Sequence, residues 1–183
     1  MSYCKFCETK EPQEINRLYH DTQYGFPIDS DDELFGRLIL EINQAGLSWQ
    51  TILIKQDNFR NAFDDFSIEK IANYNQQKMD ELLQNSGIIR NRLKINAAIH
   101  NARAVISLQK EHGSFKKWLE INSPKTKEEW VKLFKKDFKF VGGEIINEFL
   151  MSVGYLKGAH DGGCKIFSVV LLSNPDWKKY ENI

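Results

Sequence analysis

Ser30-Asp31-Asp32-Glu33-Leu34-Phe35-Gly36-Arg37-Leu38-Ile39-Leu40-Glu41-Ile42-Asn43-Gln44-Ala45-Gly46-Leu47-Ser48-Trp49 is the stretch from which the fold is read. Ser30-Asp31-Asp32-Glu33 has the form of a capping box, a serine followed three residues later by a glutamate just before an apolar run. Leu34, Phe35, Leu38, Ile39 and Ile42 then recur at helical spacing, which predicts an amphipathic helix. Leu34, Leu38, Glu41 and Ala45 share one face of it. Glu41 is the anomaly, because burying an ionised carboxylate without a partner costs roughly several kcal/mol even after relaxation. Two readings stay open. Glu41 pairs with an internal arginine or caps a buried turn, or it waits for a polar ligand, with Trp49 offering a flat face nearby.

Helical punctuation continues in both directions. A second helix is expected from Trp49 to about Phe63, a short one from the Ser67 cap through Ile71, and another over Gln76 to Leu83, stopped near Gly87. Residues 91–110 form the longest helix by pattern, with Leu93, Ala97, Ile99, Ala102, Val105, Ile106 and Leu108 on a broad apolar side. Pieces follow at 114–121 and, after the Thr126-Lys127-Glu128-Glu129 box, at 127–136. Gly142-Gly143 opens a helix carrying Ile145, Ile146, Phe149, Leu150 and Val153, ended by Gly154. Only Ile166 to Leu172 has the look of a strand, and it has no sheet to join. The chain reads as an all-α globule, a single domain over 1–183 with two helical lobes.

Composition agrees and narrows the function. A chain of 183 residues with a net charge of zero is no non-specific polyanion binder, although it can still hold a basic face. Three cysteines make no even disulfide set, and no run reaches membrane-spanning length. A soluble cytoplasmic protein is expected.

Two features carry chemistry besides Glu41. His160-Asp161-Gly162-Gly163-Cys164 sets an imidazole and a thiol four residues apart in a glycine-rich loop, and Cys4, Cys7 and His20 lie near the other terminus. Two such pairs suit a closed tetrahedral zinc site that pins both ends of the chain. Unrelated histidines and half-buried thiols are the alternative, while His100 and His112, with no cysteine nearby, read as ordinary helix residues. Phe138-Lys139-Phe140-Val141-Gly142-Gly143 is a tight turn whose glycines permit positive φ and whose following helix start presents free N–H groups. With Lys135, Lys136 and Lys139 it suits a phosphate, as does the second turn Gly87-Ile88-Ile89-Arg90-Asn91-Arg92-Leu93-Lys94. Solvated lysines beside ordinary turns would look the same.

Taken in order, Tyr19-His20-Asp21 with Tyr24-Gly25, Glu41-x-x-Gln44-Ala45-Gly46-Leu47-Ser48-Trp49, Gly87-Ile88-Ile89-Arg90, Phe138-Lys139-Phe140-Val141-Gly142 and His160-x3-Cys164 span nearly the whole chain. The set resembles DNA-3-methyladenine glycosylase I, a family of bacterial helix-hairpin-helix repair enzymes. The resemblance implies an all-α helix-hairpin-helix fold, structural zinc joining the terminal segments, and hydrolysis of the N-glycosidic bond of 3-methyladenine in double-stranded DNA. It also implies roles. Glu41 hydrogen-bonds the excised base and is the acting catalytic residue, Trp49 stacks on the base, and Tyr19 and Phe6 line the pocket. Cys4, His20, His160 and Cys164 match the zinc ligands, and Lys139, Gly142 and Gly143 lie in the DNA-binding hairpin.

The departures are local. The segment before His20 is three residues longer than in the family and contains Cys7. Alignment on Cys-x-aromatic selects Cys4 as ligand, whereas distance to His20 selects Cys7. Cys4 is preferred, since it also places Phe6 in the pocket. Asn16 stands where a tyrosine is common, which predicts a reduced stacking platform. Asp161 lies about where other hairpin glycosylases carry a catalytic aspartate, but it adjoins His160 and receives no catalytic role. No lysine is placed for a Schiff base, so the expected enzyme is a monofunctional monomer without lyase activity. The rival is a non-enzymatic, zinc-stabilised helical nucleic-acid-binding module in which Glu41 is purely structural.

Overall fold

The computed structural model describes residues 1–181, and the described residues contain α-helices joined by turns and short 3-10 segments, with no strand. In order the helices are α1 (Tyr3–Glu8), α2 (Ile15–Thr22), α3 (Asp31–Gln44), α4 (Trp49–Ile54), α5 (Gln56–Ala62) and α6 (Ile68–Ala72). They continue as α7 (Gln76–Gln84), α8 (Arg92–His112), α9 (Phe115–Asn122), α10 (Lys127–Asp137), α11 (Gly143–Ser152) and α12 (Lys165–Leu172).

The helix expected from Trp49 to Phe63 is interrupted at Lys55, whose ψ of 2° ends one segment and starts the next. Lys55 reaches instead to the carbonyls of Ser86 and Gly87. Ile166 to Leu172 is helical rather than extended. Its β-branched residues suggested a strand, but only Val170 of that helix is buried, so no facing sheet decides its conformation.

α3 is the axis of the molecule, buried from Leu34 through Asn43. Its acidic first turn does more than cap itself. The Ser30 hydroxyl accepts from the Glu33 amide, but the Glu33 carboxylate leaves the capping box to pair in two-pronged fashion with Arg60 of α5, at 2.8 and 2.7 Å. Asp31 accepts from the first amides of α9, Phe115 and Lys116, at 2.7 and 2.9 Å. Asp32 accepts from the first amide of α6, Ile68, at 2.9 Å. Three neighbouring carboxylates thus fix three other helical segments against α3 by satisfying helix-start donors and one guanidinium. Halfway along, Gly36 lets the Phe66 ring lie directly on the helix, where a Cβ would come within 2.5 Å of that ring. A mid-helix glycine costs about 1 kcal/mol relative to alanine, and close packing of Phe66 offsets it.

The far end of α3 is held by a buried cation. Lys94 of α8 donates to the carbonyls of Asn43 and Ala45, both at 2.8 Å, where the helix runs out of its own donors. The turn Gly87–Lys94 therefore does not offer Lys94 to a phosphate. Substituting Lys94 by methionine orphans those two carbonyls. Stability in urea should fall by about 2–3 kcal/mol, and an unchanged midpoint would refute this role.

Beneath these helices, Phe35, Phe59, Phe63, Phe66, Phe115, Trp130, Phe134 and Phe149 are essentially sealed from solvent in one core. The turn Phe138–Gly142 leads from α10 into α11 at its edge, tied to α8 by Asn101. That side chain donates to the Lys139 carbonyl and accepts from the Lys139 amide at 3.1 and 2.7 Å.

Candidate functional site

Tyr3, Tyr19, Tyr24, Glu41, Gln44, Trp49 and Glu148 line a cavity of about 250 Å³. α3 delivers Glu41 and Gln44, α2 delivers Tyr19, the Ser48-capped start of α4 delivers Trp49, and α11 delivers Glu148. Three tyrosines and an indole make the walls. Tyr19 lies 5.2 Å from Trp49 and 5.6 Å from Tyr24, and Tyr3 meets Tyr24 edge-on at 5.6 Å. This is a box for a flat ring, with polar groups at few points.

Glu41 is 3 % exposed. Its natural internal partner is Arg37, one turn earlier, but that guanidinium donates to the Tyr19 hydroxyl at 2.8 Å and to the Gln23 side chain at 3.4 Å. No donor or cation among the described residues reaches the Glu41 carboxylate within bonding distance. Of the two readings open from the sequence, the internal-partner one fails. Burial pushes the Glu41 carboxyl up to about 8, against the attraction of Arg37 and with the repulsion of Glu148 adding to it. The Trp49 indole N–H is also buried without an acceptor. An unpartnered carboxylate and an unpartnered donor in one aromatic box are groups that a ligand satisfies.

Phe6 does not line this cavity. On α1 its ring stacks at 6.3 Å against the outer side of the cluster, on Tyr3, and carries Lys10 over its face at 5.1 Å. Tyr3 takes the place expected of it, for the buried face of α1 is the Cys4 and Cys7 face and Tyr3 leads into the cavity beside it. The Tyr3 hydroxyl donates to the Asn16 main-chain carbonyl at 3.2 Å, with the Asn16 side-chain oxygen at 3.4 Å, so α2 anchors an aromatic ring of α1 at the position where a reduced platform is expected.

Cys4, His20, His160 and Cys164 bring one ligand atom each to within 4.8 Å of one another, all buried. Cys7 stays outside the cluster, its thiol against the Asn16 carbonyl at 3.6 Å. The separations are telling. His20 Nε2 and His160 Nδ1 stand 3.2 Å apart, and the sulfur–nitrogen distances are 3.7 Å from Cys164 to each histidine and 3.8 Å from Cys4 to His160. A tetrahedral zinc with its usual bond lengths has edges of about 3.4 Å between nitrogens and about 3.6 Å between nitrogen and sulfur. The remaining ring nitrogens are already engaged. His20 Nδ1 meets the Asp21 carboxylate at 2.6 Å, and His160 Nε2 meets the Tyr24 carbonyl at 2.7 Å. With those N–H groups committed, two bare lone pairs face each other, an arrangement that a cation between them makes favourable. Burial pushes the Cys4 thiol up to about 11, a cost that ligation of the thiolate reverses. The donor set fits a closed metal centre. Asp161 belongs to this corner, its amide on Cys4 Sγ at 3.4 Å, and not to the aromatic cavity.

In the Phe138–Gly142 turn the positive φ falls on Phe140, at 59°, not on the glycines. Gly142 has φ −79°, and a Cβ added there would meet nothing within 4 Å. Neither backbone conformation nor internal packing demands glycine at 142. Lys135, Lys139, Phe140, Gly142 and Ile145 line a surface depression at this turn.

Gln44, Tyr3, Tyr24 and Glu148 were not singled out as site residues from sequence. For Glu148 the signal existed: a lone carboxylate among Ile145, Ile146, Phe149 and Leu150, the pattern that drew attention to Glu41. Tyr3 had none, since its place depends on how the longer amino-terminal segment folds back.

Comparison with known proteins converges on one family. The Methyladenine glycosylase family profile matches residues 8–132. The DNA-3-methyladenine glycosylase of Haemophilus influenzae is 33% identical over 179 residues, covering 87% of this chain and 97% of that one. DNA-3-methyladenine glycosylase 1 of Escherichia coli is 35% identical over 165 residues, covering 80% and 88%. A crystal structure of a 3-methyladenine DNA glycosylase I variant in complex with 3-methyladenine superposes with a TM-score of 0.80 at 31% identity, covering 91% of this chain and 97% of that one. The Staphylococcus aureus enzyme studied for 3-methyladenine recognition gives 0.78 at 28% identity, covering 90% and 97%. The helices, the aromatic box around an unpaired carboxylate and these matches agree: the chain belongs to the methyladenine glycosylase family, whose members include DNA-3-methyladenine glycosylase I.

Proposed function

We propose that this protein is a monofunctional base-excision repair glycosylase that takes 3-methyladenine out of duplex DNA and hydrolyses its N-glycosidic bond. The carrying observation is Glu41, an unpaired buried carboxylate beside Trp49 in a cavity shaped for a flat ring. Methylation at N3 leaves adenine positively charged and already a good leaving group, so no general acid is required. The enzyme's task is extraction and holding, and a damaged base costs less to unstack.

In this reading the flipped base enters between Trp49 and the tyrosines. Its positive charge favours the ionised form of Glu41, whose proton passes to solvent, and the carboxylate then accepts hydrogen bonds from the base. When the bond breaks, its electron pair neutralises the base, the positive charge passes to the sugar, and water adds to the sugar carbon, losing a proton to solvent. Glu41 attracts the base most while the base is cationic, so it contributes recognition and capture before cleavage. No lysine is among the cavity's lining residues, which supports hydrolysis without a Schiff base. We read Phe138–Gly143 as a helix-hairpin-helix element whose glycines admit a DNA phosphate to the start of α11, with Lys139 contributing charge. We read the Cys4, His20, His160 and Cys164 cluster as structural zinc. Bound zinc would tie α1 and α2 to the segment before α12, and with four protein ligands it takes no part in the chemistry. The monomer is taken as the acting form.

Release of free 3-methyladenine from methylated duplex DNA tests the enzyme reading. A protein that binds such DNA but releases no base would be a binding module instead. The hairpin is tested by G142E, which adds a carboxylate where the fold leaves open space. Thermal stability should stay within about 0.5 kcal/mol of wild type, while affinity for DNA falls roughly tenfold or more at 0.1 M salt. Unchanged affinity removes the hairpin from the interface.

A further inference from the structure

Glu148 is the cavity residue with no place in the mechanism above. It sits on α11, five residues beyond the glycine that opens that helix, and shares the cavity lining with Glu41. The Tyr24 hydroxyl donates to Glu148 Oε2 at 3.1 Å, holding the carboxylate toward the aromatic box. We propose that Glu148 is a specificity-determining residue, the second of two carboxylates whose combined charge selects a positively charged purine over a neutral one. This rests on the glycosylase reading and deepens it.

The argument is one of matching. Three tyrosines and a tryptophan already favour a cationic ring through its attraction to their faces, by about 1–2 kcal/mol, and carboxylates extend that preference. With a neutral ring in the cavity, two carboxylates in a shielded space repel each other and keep a proton. With a cationic ring there, both can ionise, and each contributes attraction that the neutral ring does not receive. Two acidic groups therefore discriminate more steeply than one.

The surroundings leave Glu148 free for this. On its own helix Glu144 is turned to solvent and paired with Lys127 of α10 at 2.6 Å. From α3 come Glu41 and Arg37, and Arg37 is engaged by Tyr19 and Gln23. From α2 and the segment after it come Tyr19 and Tyr24, and from α1 Tyr3. Among the described residues no cation lies within 4.0 Å of Glu148, and burial raises its carboxyl above the ordinary range.

The test compares wild type, E148Q and Y24F in calorimetric binding of two probes from pH 5.5 to 9. One is 3,9-dimethyladeninium, a permanent cation with a methyl in place of the sugar; the other is neutral 9-methyladenine. E148Q should lower the cation-to-neutral affinity ratio about tenfold. It should also move the midpoint of cation binding about one unit down in pH, because Glu41 loses a like charge. A purely structural Glu148 would weaken both probes alike and leave the midpoint in place, which overturns the proposal. Should E148Q not fold, Y24F, which removes only the hydroxyl held by Glu148, carries the test: a lowered ratio supports the proposal and an unchanged one refutes it. Failure of the enzyme reading looks different, since wild type would then release no base from methylated DNA.

Discussion

E41Q should be more stable than wild type and a poor catcher of the damaged base. The two halves have one cause. Glu41 goes from 4.5 in the unfolded chain to about 8 when buried, so between those values the folded protein holds a proton that the unfolded chain has lost. Wild-type stability then falls as pH rises through that window, reaching a cost of roughly 4–5 kcal/mol above pH 8. Glutamine carries no such burden. At pH 5 the two proteins should melt nearly together. At pH 8 E41Q should melt roughly 5–10 °C higher, after allowing for the buried amide's own desolvation. Base release at sub-saturating methylated DNA should drop about 10²–10³-fold, the scale of losing a buried charged contact to the bound base, with the rate at saturation much less affected. Parallel stability curves across pH 5–9 would mean that Glu41 has a partner in the folded protein.

Metal removal should produce the second large effect. Stripping the Cys4, His20, His160 and Cys164 cluster with a chelator leaves two buried thiols and two facing imidazole lone pairs uncompensated. A ligand held at a thousandfold above its dissociation constant stabilises by about 4 kcal/mol, or roughly 8–16 °C in Tm for a chain of this size. Elemental analysis should find one zinc per chain in wild type and in C7S, and none retained by C164S. Zinc lost from C7S and kept by C4S would reverse the assignment made by geometry. The aromatic cavity touches this corner through Tyr24, whose carbonyl meets His160 and whose ring lines the cavity. Loss of metal should therefore weaken base binding as well as the fold.

How far the sequence was legible varied with the range of the information. Helices announced by local chemistry emerged close to where they were read. The Thr126 box is complete, and Asn91, Ser67, Ser48 and Ser114 all cap helices through their side chains. The acidic turn at Ser30 has the form of a local cap, yet Asp31, Asp32 and Glu33 serve α9, α6 and α5, contacts set only by the tertiary fold. Likewise Lys94 looked like a surface cation in a basic turn and is a buried cap for α3. In the site, Glu41 and Trp49 could be singled out because both lie on one short stretch of chain. Tyr3 carries no local signal, and Phe6 is expected in the pocket only from the Cys-x-aromatic pattern of the resembled family, whereas the fold sets Tyr3 in the cavity lining and stacks Phe6 against it. The choice between Cys4 and Cys7 likewise needed the packing of α1 against α2.

The most direct test follows the Glu41 side-chain carboxyl by ¹³C NMR through a pH titration, with and without 3,9-dimethyladeninium. Our account expects titration near pH 8 in the free protein and a shift well below neutrality when the cation binds. A Glu41 that titrates in the usual carboxylate range without ligand, or whose titration ignores the cation, would contradict it.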